Sequence, residues 1–231
     1  MKKFFVICLS LLVLASCRYK SGSGNIISDK RNAGEFNKIK ASGGFDVELK
    51  NGPSEVTVEA DDNLMKYIET DVSGGELRIK LDHINVRNAH LKVYVSAPGI
   101  TRLETSAAAN INAKDLLQSA GSLEFVSSSG SEINATVDAP HINVETSSGS
   151  EITIKGKTRD VRAQSSSGSG IHASELMSEN ANAEASSGSN ISVHASLKVV
   201  ADASSGASIK WKGGATDIKR SVSSGGSVDQ D

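Results

Sequence analysis

Any chemistry in this chain would have to come from its carboxylates. Glu132 and Glu151 each stand two residues after a glycine, in two copies of one short pattern. Glu145, Glu184 and Asp202 each stand four residues before a glycine, and Gln164 fills the matching place between the first two. If the copies stack, such carboxylates form columns that could hold Ca²⁺ or serve as acid and base on a polysaccharide. The same charges also keep a flat β surface from pairing with other chains. That second reading is preferred, because the calcium-binding repeat Gly-Gly-x-Gly-x-Asp is absent.

Other reactive residues add little. His83, His90, His141, His172 and His194 share no offset and read as solvated surface residues. No Gly-x-Ser-x-Gly elbow, phosphate loop or His-Glu-x-x-His occurs. Trp211 is the single Trp; it is either a sugar platform or a plug over a narrow core, and its inward offset favours the plug. No catalytic residue, metal or cofactor is expected. Glu132, Glu151, Glu184, Asp202 and Trp211 remain as candidates for binding.

The elements that would position these residues are repeats. Six segments share one pattern: Ser127–Ile133, Thr146–Ile152, Ser165–Ile171, Ala185–Ile191, Ala203–Ile209 and Val222–Val228. Their glycines, from Gly130 to Gly225, are spaced 19, 19, 20, 18 and 19 residues apart. A degenerate copy at Thr105–Ile111 has Ala108 in the glycine position. A fixed period near this length marks stacked units, none of which can bury its apolar face alone. Odd offsets from each glycine are mostly apolar, such as Ile133, Ile152, Ile171, Ile191 and Ile209 three residues after it. Even offsets are mostly polar, such as Thr153, His172, Ser192 and Lys210. Alternation of period two puts one face inward and the other in water. The glycine permits a sharp bend, and small serines fit the inside of that corner. Arg220 and Gln230 occupy otherwise apolar offsets in the last unit, as suits a terminal repeat.

The predicted architecture is therefore all-β: a right-handed β-helix of coils about 19 residues long, with irregular β coils at its N-terminal end. Residues 32–231 read as one domain, irregular over 32–100 and regular over 101–231. Asp61 to Tyr67 is expected to make one helical turn and to cap the N-terminal end.

Lys2 and Lys3 precede an apolar run from Phe4 to Leu14, which ends in Leu14-Ala15-Ser16-Cys17. The run is too short to span a bilayer, which needs roughly 20 apolar residues, and fits a secretory signal. The ending resembles the bacterial lipobox. It implies diacylglycerol transfer to Cys17 and cleavage before it, so residues 1–16 are expected to be a signal peptide. Residues 17–31, rich in Ser and Gly, read as a flexible tether. Cys8 falls within the signal, so no disulfide is expected. With 25 basic and 27 acidic side chains and no basic stripe, nucleic acid is not an expected partner.

A family resemblance rests on Phe36-Asn37-Lys38-Ile39 leading into Ala41-Ser42-Gly43-Gly44-Phe45-Asp46-Val47. It continues through Ser73-Gly74-Gly75-Glu76-Leu77-Arg78-Ile79, Leu91-Lys92-Val93-Tyr94-Val95 and the Ser-Ser-Gly-Ser-x-Ile units. Across nearly all of the mature chain the sequence resembles the head-GIN-domain proteins, autotransporter adhesins by description. The resemblance implies a β-helix-like fold and an exported lipoprotein, with no catalytic motif to carry over. Surface lipoproteins of the Bacteroidetes often carry acidic residues just after the Cys. Arg18 and Lys20 stand there instead, so a periplasm-facing outer-membrane lipoprotein is expected. The leading functional reading is a lipid-anchored binding, adhesion or scaffolding module for a glycan or an envelope protein. Its rivals are a polysaccharide lyase or hydrolase and a sensory envelope protein that meets its partner through one end of the rod. Self-association through the C-terminal end is also expected, on the strength of Trp211 and Ile218.

Overall fold

The computed structural model describes residues 19–231, so the signal-like segment and Cys17 lie outside the described residues. Two β faces stack coil upon coil, and each coil turns from one face to the other through a Ser-Gly pair. The face before the turn runs through Lys38–Ser42, Arg102–Ser106, Ser122–Ser128, Asn180–Ala185, Lys198–Ala203 and Asp217–Val222. The face after it runs through Asp46–Lys50, Asn110–Gln118, Gly170–Met177, Asn190–His194, Ser208–Lys212 and Ser227–Gln230. The long strands Glu132–Ser147 and Glu151–Ser165 contribute to both faces. Pairing between coils is parallel throughout, which is the expected stacked solenoid.

At the turn, Ser129, Ser148, Ser167, Ser187, Ser205 and Ser224 have φ between 48° and 56°, and the glycine that follows is also left-handed. Two consecutive left-handed residues reverse the chain within a few ångströms. The glycine N–H then donates to the serine carbonyl of the next coil: Gly130 to Ser148, Gly149 to Ser167, Gly168 to Ser187 and Gly188 to Ser205, at 3.0–3.1 Å. Ala107 and Ala108 adopt the same conformation, with φ of 50° and 63°, although neither is glycine.

Parity places the odd offsets inside. Ile133, Ile152, Ile171 and Ile209 are fully buried, while Thr153 and His172 reach solvent. Phe45, Leu49 and Phe125 fill the N-terminal half, whereas Ala163, Ala183 and Ala201 fill the C-terminal half, so the core narrows along the rod. The inside of the corner is polar but satisfied. Thr105 pairs with Ser127, and Ser127 with Ser131, both at 2.9 Å; Thr146 donates to Ser165 at 2.8 Å, and Ser165 pairs with Ser169 at 2.9 Å. Ser150 and Ser189 donate to the carbonyls of Ser127 and Ser165 in the preceding coil. Buried hydroxyls without such partners would each cost about 1–3 kcal/mol. Gly156, with φ of 116°, sits where a side chain would run into the Val137 carbonyl of the preceding coil.

The N-terminal part is only partly a set of longer coils. Lys38–Ser42, the Gly43-Gly44 turn and Asp46–Lys50 form a regular coil in register with Arg102–Ser106 and Asn110–Gln118. Glu76–Leu81 and Leu91–Ser96 extend its two faces in parallel. Beyond them Ile68–Ser73, Glu55–Asp61 and Ile26–Arg31 pair antiparallel, which ends the solenoid rather than continuing it. The helical turn is a single 3₁₀ turn at Met65–Tyr67, and Leu64, Met65 and Ile68 beside it close the core.

The tether reading of residues 17–31 is corrected by the structure for residues 19–31, residues 17 and 18 lying outside the described residues. Tyr19–Ser21 forms a two-stranded parallel sheet with Asn85–Arg87, and Ile26–Arg31 is the antiparallel edge strand of the cap. Three consecutive polar residues hold the loop between them. Asp61, 2% exposed, accepts from the N–H groups of Gly24 and His90, both at 2.7 Å. Asp62 accepts from Ser23 and Asn25, and Asn63 bonds the Ser23 N–H and the Ser21 carbonyl. Gly22 lies so close to Asp61 that a side chain would displace it. Serine and glycine suggest flexibility by composition, but partners far along the chain fix this segment.

At the other end the core is less covered. Trp211 is 2% exposed, capped by the last strand, with the Asp231 N–H donating to its carbonyl. It therefore offers nothing to a second copy, contrary to that part of the expectation. Ile218 and Val222, in the final strand of the face before the turn, stay exposed.

Two stability measurements test this register. Ile152→Ala should destabilise by about 2–5 kcal/mol, through lost burial plus a cavity. Thr153→Ala, facing water in the same strand, should stay within about 0.5 kcal/mol. Equal shifts in denaturant midpoint would reverse the assignment of faces. Ala108→Gly should stabilise by roughly 0.5–1 kcal/mol, because a left-handed residue loses the Cβ clash that glycine lacks. A lower midpoint for that variant would show that the Ala107-Ala108 turn is not strained.

Candidate functional site

Parallel stacking in register converts each even offset into a column. Four residues before the turn glycines, Glu145, Gln164, Glu184, Asp202 and Ser221 follow one another across successive coils. Strands stack about 4.8 Å apart, so these side chains form a ladder at that spacing. They line an open groove of about 520 Å³, whose other wall is the serine column Ser166, Ser186, Ser204 and Ser223. The groove exists because both columns sit on the flat face just before the chain bends, where small serines flank the acidic ladder on the side of the turn. Gln164 Nε2 donates to Glu184 at 2.9 Å, and Arg162 reaches the same carboxylate at 3.3 Å. Among the described residues, Glu145 and Asp202 make neither a hydrogen bond nor an ion pair through their carboxylates, so both are open to a ligand.

The structure separates the other candidates from this groove. Glu132 and Glu151 are indeed neighbours in adjacent coils, but they lie on the face after the turn. Glu132 there accepts from Asn134 at 2.6 Å, and the next residue in the column is Gly170. Trp211 points into the core, and its indole N–H has no partner among the described residues. It is a plug and no sugar platform. The carboxylates thus divide between two faces instead of converging. Among the described residues no group of three His, Cys, Asp or Glu is placed to hold a metal ion.

A second polar surface went unread in the sequence. Eight residues before the glycines, His141, Asp160, Asn180, Lys198 and Asp217 form a column, with Asn143, Arg162 and Asn182 beside it around a depression of about 490 Å³. His141 Nδ1 lies 3.1 Å from Asp160, and Arg159 donates to His141 Nε2 at 2.9 Å. Arg159 and then Asn180, both donating to Asp160, hold its carboxyl below the ordinary aspartate range. Ser122 precedes His141 in this column, which places Ser, His and Asp in three successive coils. It is not a nucleophilic triad: the histidine nitrogen that would take a serine proton is occupied by Arg159. The offset pattern itself would have revealed the column had it been followed one step further from the glycine.

The depression near the N-terminal cap offers less. Its cations are already paired, with Lys80 on Glu69 at 2.6 Å, Arg78 on Glu76 at 2.8 Å and Arg31 on Asp29 at 3.2 Å. The acidic groove is therefore the surface with unengaged, regularly spaced polar groups.

A family model described as "Putative auto-transporter adhesin, head GIN domain" matches residues 35–215. Among solved structures, a putative adhesin from Bacteroides fragilis superposes with a TM-score of 0.85 at 19% identity, covering 92% of this chain and 100% of that one. A putative adhesin from Parabacteroides distasonis gives 0.76 at 20% identity, covering 93% and 100%. A putative lipid binding protein from the same species gives 0.73 at 19% identity, again over 93% and 100%. At these identities the likeness is one of fold. Curated proteins gave no match.

Proposed function

This chain belongs to the head GIN domain family of putative auto-transporter adhesins, and from that premise we propose that it is a binding module of the bacterial cell envelope, carried on lipid at Cys17. The observation that carries the reading is the groove over Glu145, Gln164, Glu184 and Asp202. Donors and acceptors repeat there at the coil spacing on a rigid face. Such a ladder suits an extended ligand rich in hydroxyl or cationic groups, a glycan strand or a polar peptide of an envelope protein. Recognition would run through carboxylates, Gln164 and serines, since no aromatic side chain lines the groove.

Binding is favoured over catalysis because the acidic groups split between two faces and Glu184 is already tied to Gln164 and Arg162. Of the three solved relatives above, two are described as adhesins and one as lipid binding, all terms for binding. The lipobox-like ending at Cys17, with Arg18 and Lys20 after it, supports an outer-membrane lipoprotein facing the periplasm. A second reading rests on Ile218 and Val222, exposed on Asp217–Val222, the outermost strand of the face before the turn: a partner or a second copy adds a strand to that edge.

Two experiments address the proposal. In a Gram-negative host the full chain should incorporate labelled fatty acid and partition into detergent, and Cys17→Ser should lose both; equal labelling of that variant would remove the lipid anchor. On a glycan array, and in crosslinking from intact envelopes, the chain should capture ligands that Glu145→Gln/Asp202→Asn does not. Both replaced residues are at the surface, so each should change stability by less than about 0.5 kcal/mol. An unchanged ligand profile for that double variant would take the groove out of the binding site.

A further inference from the structure

The N-terminal cap gathers basic and aromatic side chains around its first strand. Lys20 donates to the Tyr67 hydroxyl at 3.0 Å and lies 4.5 Å from the centre of that ring, with Lys66 5.1 Å from it on the neighbouring turn. Arg87, paired with Ser21 in the two-stranded sheet, donates to the Ser21 hydroxyl at 3.0 Å. Tyr19 precedes Lys20 in that strand, on the side shared with Ser21 and Arg87, and is 58% exposed. Among the described residues none of Lys20, Lys66 and Arg87 makes an ion pair, whereas the cations of the flanking depression are paired. The bordering acids are turned elsewhere: Asp62 accepts from Ser23 and Asn25, and Asp82 faces His83 at 3.6 Å.

We propose that this patch, Tyr19, Lys20, Lys66, Tyr67 and Arg87, seats the domain on an anionic phospholipid surface. Two features select that occupant. The charges complement phosphate headgroups, and tyrosines beside lysines favour the boundary between water and hydrocarbon. Position is the other feature. Tyr19 is two residues from Cys17, a reach of at most about 7 Å, and its strand is fixed to the cap by the sheet with Asn85–Arg87 and by the hydrogen bonds of Asp61 and Asn63. A lipid on Cys17 therefore brings this patch close to the headgroups. The rod is then held in a defined orientation with its C-terminal coils away from the bilayer. The biological setting rests on the lipid-anchored reading above, but the surface is tested without the lipid.

The test uses residues 18–231, which carry the whole described fold; the solved relative from Bacteroides fragilis is covered over its full length by 92% of this chain. Sedimentation is measured with phosphatidylcholine vesicles, with and without phosphatidylglycerol. Without Lys2 and Lys3 this part of the chain keeps 23 basic against 27 acidic side chains, a formal net charge of −4, so general attraction to anionic vesicles is not expected. Binding should require phosphatidylglycerol and weaken with salt. Each basic side chain at such a surface contributes roughly fivefold in affinity. Lys66→Gln/Arg87→Gln, both at exposed positions, should thus lose about 25-fold, while Lys219→Gln/Arg220→Gln at the far end should lose nothing. No binding to phosphatidylglycerol vesicles at low salt, equal binding to phosphatidylcholine alone, or equal binding by the two double variants would overturn the proposal. Fatty-acid labelling of Cys17 plays no part here, so either claim can fail without the other.

Discussion

Everything regular in this molecule depends on one backbone event, the paired left-handed turn at Ser-Gly. A serine held at φ near 50° is unusual for an L-residue, and here six coils share it. It persists because each turn is tied to the next by the glycine N–H and the serine carbonyl, so strain in one coil is offset by a bond to its neighbour. That ladder fixes where each strand begins. A slip of one residue would send the isoleucine column Ile133, Ile152, Ile171, Ile191 and Ile209 into water and the ladder of Glu145, Glu184 and Asp202 into the core. The hydroxyls inside the corner follow from the same geometry: the bend brings carbonyls and side chains too close for anything larger than Ser or Thr, and the hydroxyls satisfy each other across coils.

Once register is fixed, the outward face is free to vary. Inward residues touch the coils above and below, but a residue such as Asp202 touches only its column. The columns therefore differ in chemistry while the strands beneath them stay the same: one holds His141, Asp160, Asn180 and Lys198, another Glu145, Gln164, Glu184 and Asp202. The first is neutralised internally, with Arg159 and Asp160 closing on His141. The second keeps Glu145 and Asp202 unpaired, which is why it, and not the larger set of charged residues, reads as the ligand surface.

Much of this was legible because it is periodic. The glycine spacing, the odd and even offsets and the inward Trp211 all follow from the rule of two per strand, and the structure places them as that rule requires. What escaped the sequence reading is non-periodic and long-range. The loop before Ile26 looks like a linker because nothing local restrains it; its restraints are Asp61, Asp62 and Asn63, some 37–42 residues away. The hydrophobic alternation of Glu55–Asp61 and Leu91–Ser96 revealed strands but not their antiparallel sense, since alternation is the same in either direction. The acidic ladder was visible as a column, but whether its members were engaged depended on Arg162, whose reach to Glu184 no offset encodes.

These two kinds of restraint give the rod a polarity that composition hides. At the N-terminal end, antiparallel strands and a 3₁₀ turn close both faces, and Leu64 and Met65 seal the core. Antiparallel pairing suits that task, because a strand running against the stack brings its own turns and leaves no register for another coil to join. At the C-terminal end the faces remain parallel to the last strand, and Asp217–Val222 is exposed along its length. The charges Lys219, Arg220 and Asp217 on that strand discourage casual pairing with a bare edge. A solenoid capped at one end and merely charged at the other has one end built to be fixed and one left accessible, and the chain enters the fold at the fixed end.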